Sequence, residues 1–328
     1  RVTAQQAALV NGAASHALDY DDVNLMINGH PSAAILPGLL ALAERRNASG
    51  RDLITAFVAG YEMACLVGAL VEPDHYERGF HATATVGSIG AAMACAHLMG
   101  LDAEAASRAV GIAVTQASGL KSMFGTMCKP LHAGLAARNG LNAASLAARG
   151  LSSRADALEC PQGFAATQSS DFFPEAALSD PKGGFWMYGN LFKYHAACYG
   201  THSVIECARA LRGKLASGDI RRVTVRVNAS SDKICNIQLP VNGLQAKFSL
   251  RMTTAMALAG VDTARLDSYS EATCADPALV ALRDKTSVDL VTGLPAMAAE
   301  LAIETSDGAQ HRMSYDAGVP AKIRRAHV

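Results

Sequence analysis

Residues 131–150 read LHAGLAARNGLNAASLAARG, and this stretch decides the fold class. Leu131 and Leu135 stand four apart, and Leu141, Ala144 and Ala147 three apart, the spacing that lines one face of a helix. Gly150 sits where a helix C-cap belongs, and Pro130, just upstream, is tolerated in a first turn. Most of the remaining positions are Ala or Gly, so neighbouring helices can approach closely. The same pattern extends back to Thr3. It predicts helices over 3–19, 33–46, 51–72, 82–99, 103–120 and 131–149, packed as a bundle, with Thr3 capping the first.

Beyond Gly150 the pattern changes. Pro161, Pro174, Pro181 and the pair Gly183 and Gly184 break up the run over 160–190, which reads as a connection to a second domain. A helix follows over 200–216, and then RRVTVRVN (221–228) alternates polar and apolar residues as a half-buried strand does. Further helices fit 247–260 and 276–284. Ser306-Asp307-Gly308 is a turn sequence between two partly alternating runs, a hairpin. The expected architecture is therefore a mainly α-helical bundle domain over 1–184 and a smaller α+β lid domain over 185–328. A chain of 328 residues has room for two such cores. The opening Arg1-Val2 carries no basic-then-apolar leader and reads as a truncated start of the helical domain.

Charge and cysteine usage remove several function classes. The 29 basic side chains equal the 29 acidic ones, and no dense Lys/Arg run offers the positive surface that nucleic acid or an anionic membrane needs. Glu62, Arg108 and Lys121 punctuate the longest apolar stretches, so no membrane span is expected. The eight cysteines form no C-x-x-C pair, which argues against zinc or an iron–sulfur cluster and for reduced thiols in the cytoplasm. A G-x-S-x-G elbow, a P-loop and a G-x-G-x-x-G turn are all missing, so hydrolysis by a serine nucleophile, NTP binding and hydride transfer have no motif.

Four runs concentrate chemistry. HALDYDDVNLMINGHP (16–31) holds His16, Asp19, Asp21, Asp22 and His30; carboxylates at a helix C-terminus oppose its macrodipole, so this is either a solvated loop or a set of acids held for use. RGFHATAT (78–85) places His81 before a helix start, beside backbone N–H groups suited to a carboxylate, although a cap or a packed side chain is the plainer reading. GTMCKPLHAG (125–134) sets Lys129 at the positive entrance of a helix, with His132 one turn on. KYHAACYGTH (193–202) packs Lys193, Tyr199 and His202 into ten residues at the head of another helix.

Taken in order, DYDD then GHPSAAILP, GFHATATVGSIGAA, KPLHAGLAARNG and the Lys-x8-His spacing from Lys193 to His202 resemble the MmgE/PrpD family, which includes 2-methylcitrate dehydratase, cis-aconitate decarboxylase and iminodisuccinate epimerase. The resemblance implies a helical domain with a smaller α+β lid, a homodimer, a site in the cleft between the domains, and no metal or organic cofactor. Carried over by position, the family's site residues fall on Asp19, His30, His81, Lys129 and Lys193; His132, Tyr199 and His202 are further candidates for holding a small carboxylate substrate. The implied chemistry removes a proton or a carboxyl group next to a carboxylate, with cations steadying the enolate-like charge. Two positions depart from the decarboxylase-like pattern, which has Thr at Val23 and Tyr at Met252. The leading expectation is accordingly a lyase of the 2-methylcitrate dehydratase type, the alternative an epimerase of an amino- or imino-dicarboxylate, and the third a non-catalytic carboxylate binder or scaffold.

Overall fold

The computed structural model describes residues 2–181, 183–215 and 220–320, in two compact units. The first comprises Arg1–Ala17, Asp21–Met123 and Met127–Phe192. Its helices are α1 (Ala4–Ala17), α2 (Pro31–Arg46), α3 (Gly50–Val71), α4 (Asp74–Glu77), α5 (Ala82–Leu98), α6 (Ala103–Val114), α7 (Cys128–Ala147) and α8 (Phe164–Gln168). The sequence of α5 carries no charged residue, and its residues 82–92 are buried without a break, so it forms the centre of the bundle.

Small residues set the spacing around that centre. A Cβ at Gly60 in α3 would lie 2.5 Å from the Gly90 carbonyl of α5, and one at Gly140 in α7 would lie 2.4 Å from the Ala91 Cβ. The tightest crossing is between α1 and α7, where a Cβ at Gly134 would fall 2.2 Å from the Leu9 carbonyl and one at Gly12 would fall 2.7 Å from the Gly134 Cα. Only glycine fits at such backbone contacts. Ala8, Gly12 and His16 form the buried stripe of α1 at a spacing of four, so the same contact carries His16 against the first turns of α7.

Three sequence expectations are corrected here. The helix expected over 103–120 stops at Val114, because Gly119 takes φ +140° and its carbonyl accepts the His81 N–H at 3.0 Å. The helix expected from 131 begins at Cys128, which puts Lys129 and Pro130 inside its first turn. At α3, 22 residues prove long and apolar enough to cross a membrane by length and composition, because Arg51 and Asp52 sit at its start and Glu62 alone interrupts the apolar run that follows. In this unit that helix packs on α5, and the Glu62 carboxylate accepts the N–H groups of Trp186 and Met187 at 2.9 Å each. Those bonds, with the Val23–Leu191 bridge, also draw residues 185–192 into the first unit, so the chain leaves it after Phe192 rather than at the expected 184.

The second, smaller unit comprises Leu18–Tyr20, Phe124–Thr126 and Lys193–Val328. It contains α9 (His202–Arg212), β1 (Ile220–Asn228), α10 (Asp232–Cys235), α11 (Gly243–Ala246), α12 (Leu250–Ala259), α13 (Glu271–Ala275), α14 (Pro277–Asp284), β2 (Thr286–Val291), β3 (Ala298–Thr305) and β4 (Gln310–Asp316). The sheet runs β2-β1-β3-β4, with β1 parallel to β2 and antiparallel to β3, and with β3 and β4 forming the expected hairpin. Val223, Val225 and Val227 alternate inward on β1 and share one core with Val204, Leu211, Leu250 and Leu258 from α9 and α12. The helix expected over 200–216 is shorter; residue 216 lies outside the described residues. Strand β2 was not expected, since only Thr286 on it is buried and no apolar alternation announces it. The architecture is thus a helical unit and a smaller α+β unit.

Candidate active site

In the first unit, four imidazoles, one carboxylate and one ammonium come together. His16, at the end of α1, donates from Nδ1 to Asp21 Oδ2 at 2.5 Å; the side chains are 0% and 6% exposed. His30 stands immediately before α2, whose first residue is Pro31. Its Nδ1 lies 2.8 Å from the Asp22 carbonyl, which only accepts, so that nitrogen carries a proton. The same Nδ1 is 3.5 Å from Asp21 Oδ2. Asp22 fastens this corner by accepting the N–H and hydroxyl of Ser32 at 3.1 and 2.7 Å. The three carboxylates that the sequence left as loop or acid cluster are therefore built in, with Asp19 only 1% exposed.

His81 caps the backbone entry of α5, and His132 and Lys129 come from the start of α7. His81 Nδ1 and His132 Nδ1 are 3.0 Å apart, so a single proton lies between them and the two cannot both be charged there. The His16 ring stacks on that of His81 with centroids 5.7 Å apart and meets His30 at 4.8 Å, which makes His16 the hub of the group. Burial holds the His81 pKa well below the usual imidazole range, and the charges of His16, Lys129, His132 and His30 push it the same way. His132 is lowered too, first by burial and then by His16 and Lys129. Both favour the neutral form. Lys129 is 3% exposed, an ammonium enclosed beside neutral rings.

His16, Asp21 and His30 offer ligand atoms within 4.8 Å of one another, the group of three among the described residues whose donors would suit a metal ion. Binding through the two Nδ1 atoms would require both imidazoles to release the protons they now share with Asp21 and Asp22.

The second unit holds the rest of the expected residues. Asp19 adopts a left-handed backbone, φ +52°. Lys193, its side chain fully enclosed, donates from Nζ to the Asp19 carbonyl at 3.0 Å and lies 3.9 Å from Asp19 Oδ1. Lys247 Nζ donates to the neighbouring Leu18 carbonyl at 2.9 Å. Tyr199 and His202 turn inward: the Tyr199 hydroxyl donates to the Ala317 carbonyl at 2.7 Å and burial pushes its pKa up to about 12. His202 packs against the rings of Tyr199 and His195, and burial holds it well below the ordinary imidazole pKa. His195 itself bridges Thr263 Oγ1 and Glu206 Oε1, each at 2.8 Å.

So the structure brings His30, His81, Lys129 and His132 together in one unit and Asp19 with Lys193 in the other. Sequence reasoning had not chosen His16, Asp21 or Lys247 as site residues. The signal for His16 was its place on the small-residue stripe Ala8, Gly12, His16, which points it inward. For Lys247 it was a lone charge set between Ala246 and Phe248-Ser249-Leu250.

Comparison with known proteins finds a family match in each half of the chain. The MmgE/PrpD N-terminal domain matches residues 1–176 and the MmgE/PrpD C-terminal domain residues 195–322. The chain is 30% identical over 329 residues to the cis-aconitate decarboxylase of Homo sapiens, covering 94% of this chain and 67% of that protein. It is 33% identical over 243 residues to the enzyme of the same name from Mus musculus, covering 69% of this chain and 49% of that one. With the Aspergillus terreus cis-aconitate decarboxylase it shares 29% over 276 residues, 77% of this chain and 56% of the fungal protein. The chain thus spans between about half and two thirds of the length of these relatives. With both domains matched in order over most of its length, the chain belongs to the MmgE/PrpD family.

Proposed function

We propose that this chain is the working part of a cofactor-independent lyase of the 2-methylcitrate dehydratase type, acting on a small polycarboxylate. The observation that carries the reading is the cluster of buried His16, His81, His132 and Lys129 with partly buried His30 and Asp21. An elimination needs a neutral base, a cation for the charge that develops on the substrate carboxylate, and a proton for the departing oxygen. His81, held neutral by burial and by positive neighbours, takes the proton next to the carboxylate. The electron pair left on carbon becomes the new double bond as the adjacent carbon–oxygen bond breaks. Lys129 steadies the enolate-like oxygen and gives its proton to the leaving hydroxyl, which departs as water. His30, oriented by the bond from Nδ1 to the Asp22 carbonyl, turns Nε2 to the substrate as a hydrogen-bond partner. Asp19 and Lys193, paired within the second unit, are taken as further working groups of the lyase. The same reading takes a second copy of the chain as partner and the cytoplasm as its setting.

Although the relatives are named decarboxylases, two positions speak for elimination of water here. Val23 is 5% exposed and Met252 fully buried, the latter among Ala196, Ala246, Met256 and Tyr269. These apolar side chains stand where the decarboxylase-like pattern has a hydroxyl and a phenol, so neither group is supplied.

The test uses the full-length enzyme in deuterated water with a panel of citrate-like and amino-dicarboxylate acids, followed by NMR. Elimination gives new alkene signals and stoichiometric water loss. Solvent exchange with inversion and no alkene would instead establish an epimerase. Release of carbon dioxide would overturn the dehydratase reading, and no reaction or exchange with any acid would favour a binder.

A further inference from the structure

Lys247 follows the short helix α11, and its own carbonyl accepts the Cys198 N–H at 3.0 Å, so the residue is anchored on both sides. It is 7% exposed. Its ammonium donates to the Leu18 carbonyl at 2.9 Å, while Lys193 donates to the next carbonyl, that of Asp19, at 3.0 Å. Two buried lysines thus hold two consecutive peptide oxygens. The segment they hold, Leu18–Tyr20, belongs to the second unit although the chain on either side of it belongs to the first. Within it Asp19 keeps a left-handed backbone, uncommon for a residue with a Cβ although Asp adopts it more readily than most. The carboxylate direction of Asp19 follows from that backbone, and so does the 3.9 Å separation from Lys193 Nζ. Also at this corner are Tyr269, whose ring lies 5.6 Å from Lys247 Nζ and whose hydroxyl donates to the Thr263 carbonyl, and Tyr20, whose hydroxyl donates to the Tyr194 carbonyl.

We propose that Lys247 is a positioning residue, which fixes the Leu18–Asp19 peptide and thereby aims the Asp19 carboxylate at Lys193; the proposal rests on Asp19 being a working group of the lyase. Lys247 acts through Asp19 and not on the substrate. Its removal therefore lowers turnover while leaving substrate affinity in place, and it does so only while the Asp19 carboxylate is present.

The experiment is a double-mutant cycle on the full-length enzyme with Lys247→Met, which keeps chain length and loses the ammonium, and Asp19→Asn. Both kcat and KM are measured together with the thermal midpoint. The expected result is a fall in kcat of about tenfold for Lys247→Met with KM within about threefold, about a hundredfold for Asp19→Asn, and about a hundredfold for the pair. Additive losses of about a thousandfold in the pair, or a Lys247→Met kcat that returns to wild type when assayed well below a lowered midpoint, would make the lysine a structural residue and overturn the proposal. Wild-type kcat in Lys247→Met beside a crippled Asp19→Asn overturns it while leaving the lyase reading intact. Full activity in Asp19→Asn removes Asp19 from the site and overturns the proposal, while the lyase reading stands.

Discussion

Lowering the pH from about 7 to about 5 is expected to destabilise the first unit through His75, a residue that is not in the site but supports it. His75 is fully buried, donates from Nδ1 to the Gln168 carbonyl at 3.1 Å, and accepts the Thr85 hydroxyl at Nε2, 2.7 Å away. Its ring stacks on Phe80 with centroids 4.8 Å apart, directly before His81. Burial lowers its pKa from 6.5 to about 4. Because the folded value lies below the unfolded one, the unfolded chain binds the proton first, so stability is complete above about pH 6.5 and is lost as pH falls towards about 4. The full shift corresponds to about 3 kcal/mol, of which about 2 kcal/mol is lost between about pH 7 and about pH 5. The measurement is urea unfolding followed by fluorescence of Trp186, the sole tryptophan, which lies in the first unit with His75. His75→Gln keeps a donor and an acceptor but does not titrate, so the wild type should lose about 2 kcal/mol more than the variant across this interval. Other buried histidines contribute equally to both proteins and cancel. Parallel pH dependences for the two would refute the argument.

Three further outcomes are expected in the site. Lys129→Ala should slow turnover at least about a hundredfold while urea unfolding stays near wild type, since an enclosed ammonium adds charge stabilisation rather than packing; unchanged kinetics would remove it from the site. His81→Gln should abolish turnover yet keep ligand binding within about tenfold, because the amide still forms hydrogen bonds but exchanges no proton; if binding and turnover fall together, the base moves to His30. Exhaustive chelation and dialysis should leave turnover within about twofold, because the Nδ1 atoms nearest Asp21 are engaged as donors; a loss restored by one added metal would contradict this.

The helices of the first unit were legible because small and apolar residues recur at helical spacing from Thr3 onward, and His81 and Lys129 were legible because helix starts advertise themselves through Pro130 and the Gly/Ala run after His81. What the one-dimensional pattern lacked was the pairing between distant segments. Asp21 is a charge in a loop until His16 and His30 are seen on either side of it, contacts that depend on how α1 and α2 enter the bundle. Lys247 acquires meaning only through a carbonyl 229 residues away. Strand β2 escaped because its partner β1 supplies the buried valines, leaving β2 to contribute hydrogen bonds with little apolar surface of its own. Tyr199 and His202 stand inside the second unit, where the Tyr199 hydroxyl donates to the Ala317 carbonyl, a partner 118 residues away that no local pattern announces.

The meeting of Gly12 with Gly134 has a consequence for how tolerant the site is to thermal jostling. Side chains that pack through rotamers leave slack, since each torsion has several wells and a neighbour can yield. Here the stop is main chain against main chain, with the Leu9 carbonyl facing the Gly134 Cα, and no torsion is available to give way. The separation between the His16 imidazole at one end of α1 and the His132 imidazole one half-turn before Gly134 is therefore gauged by atomic radii, much as a machinist's shim sets a clearance.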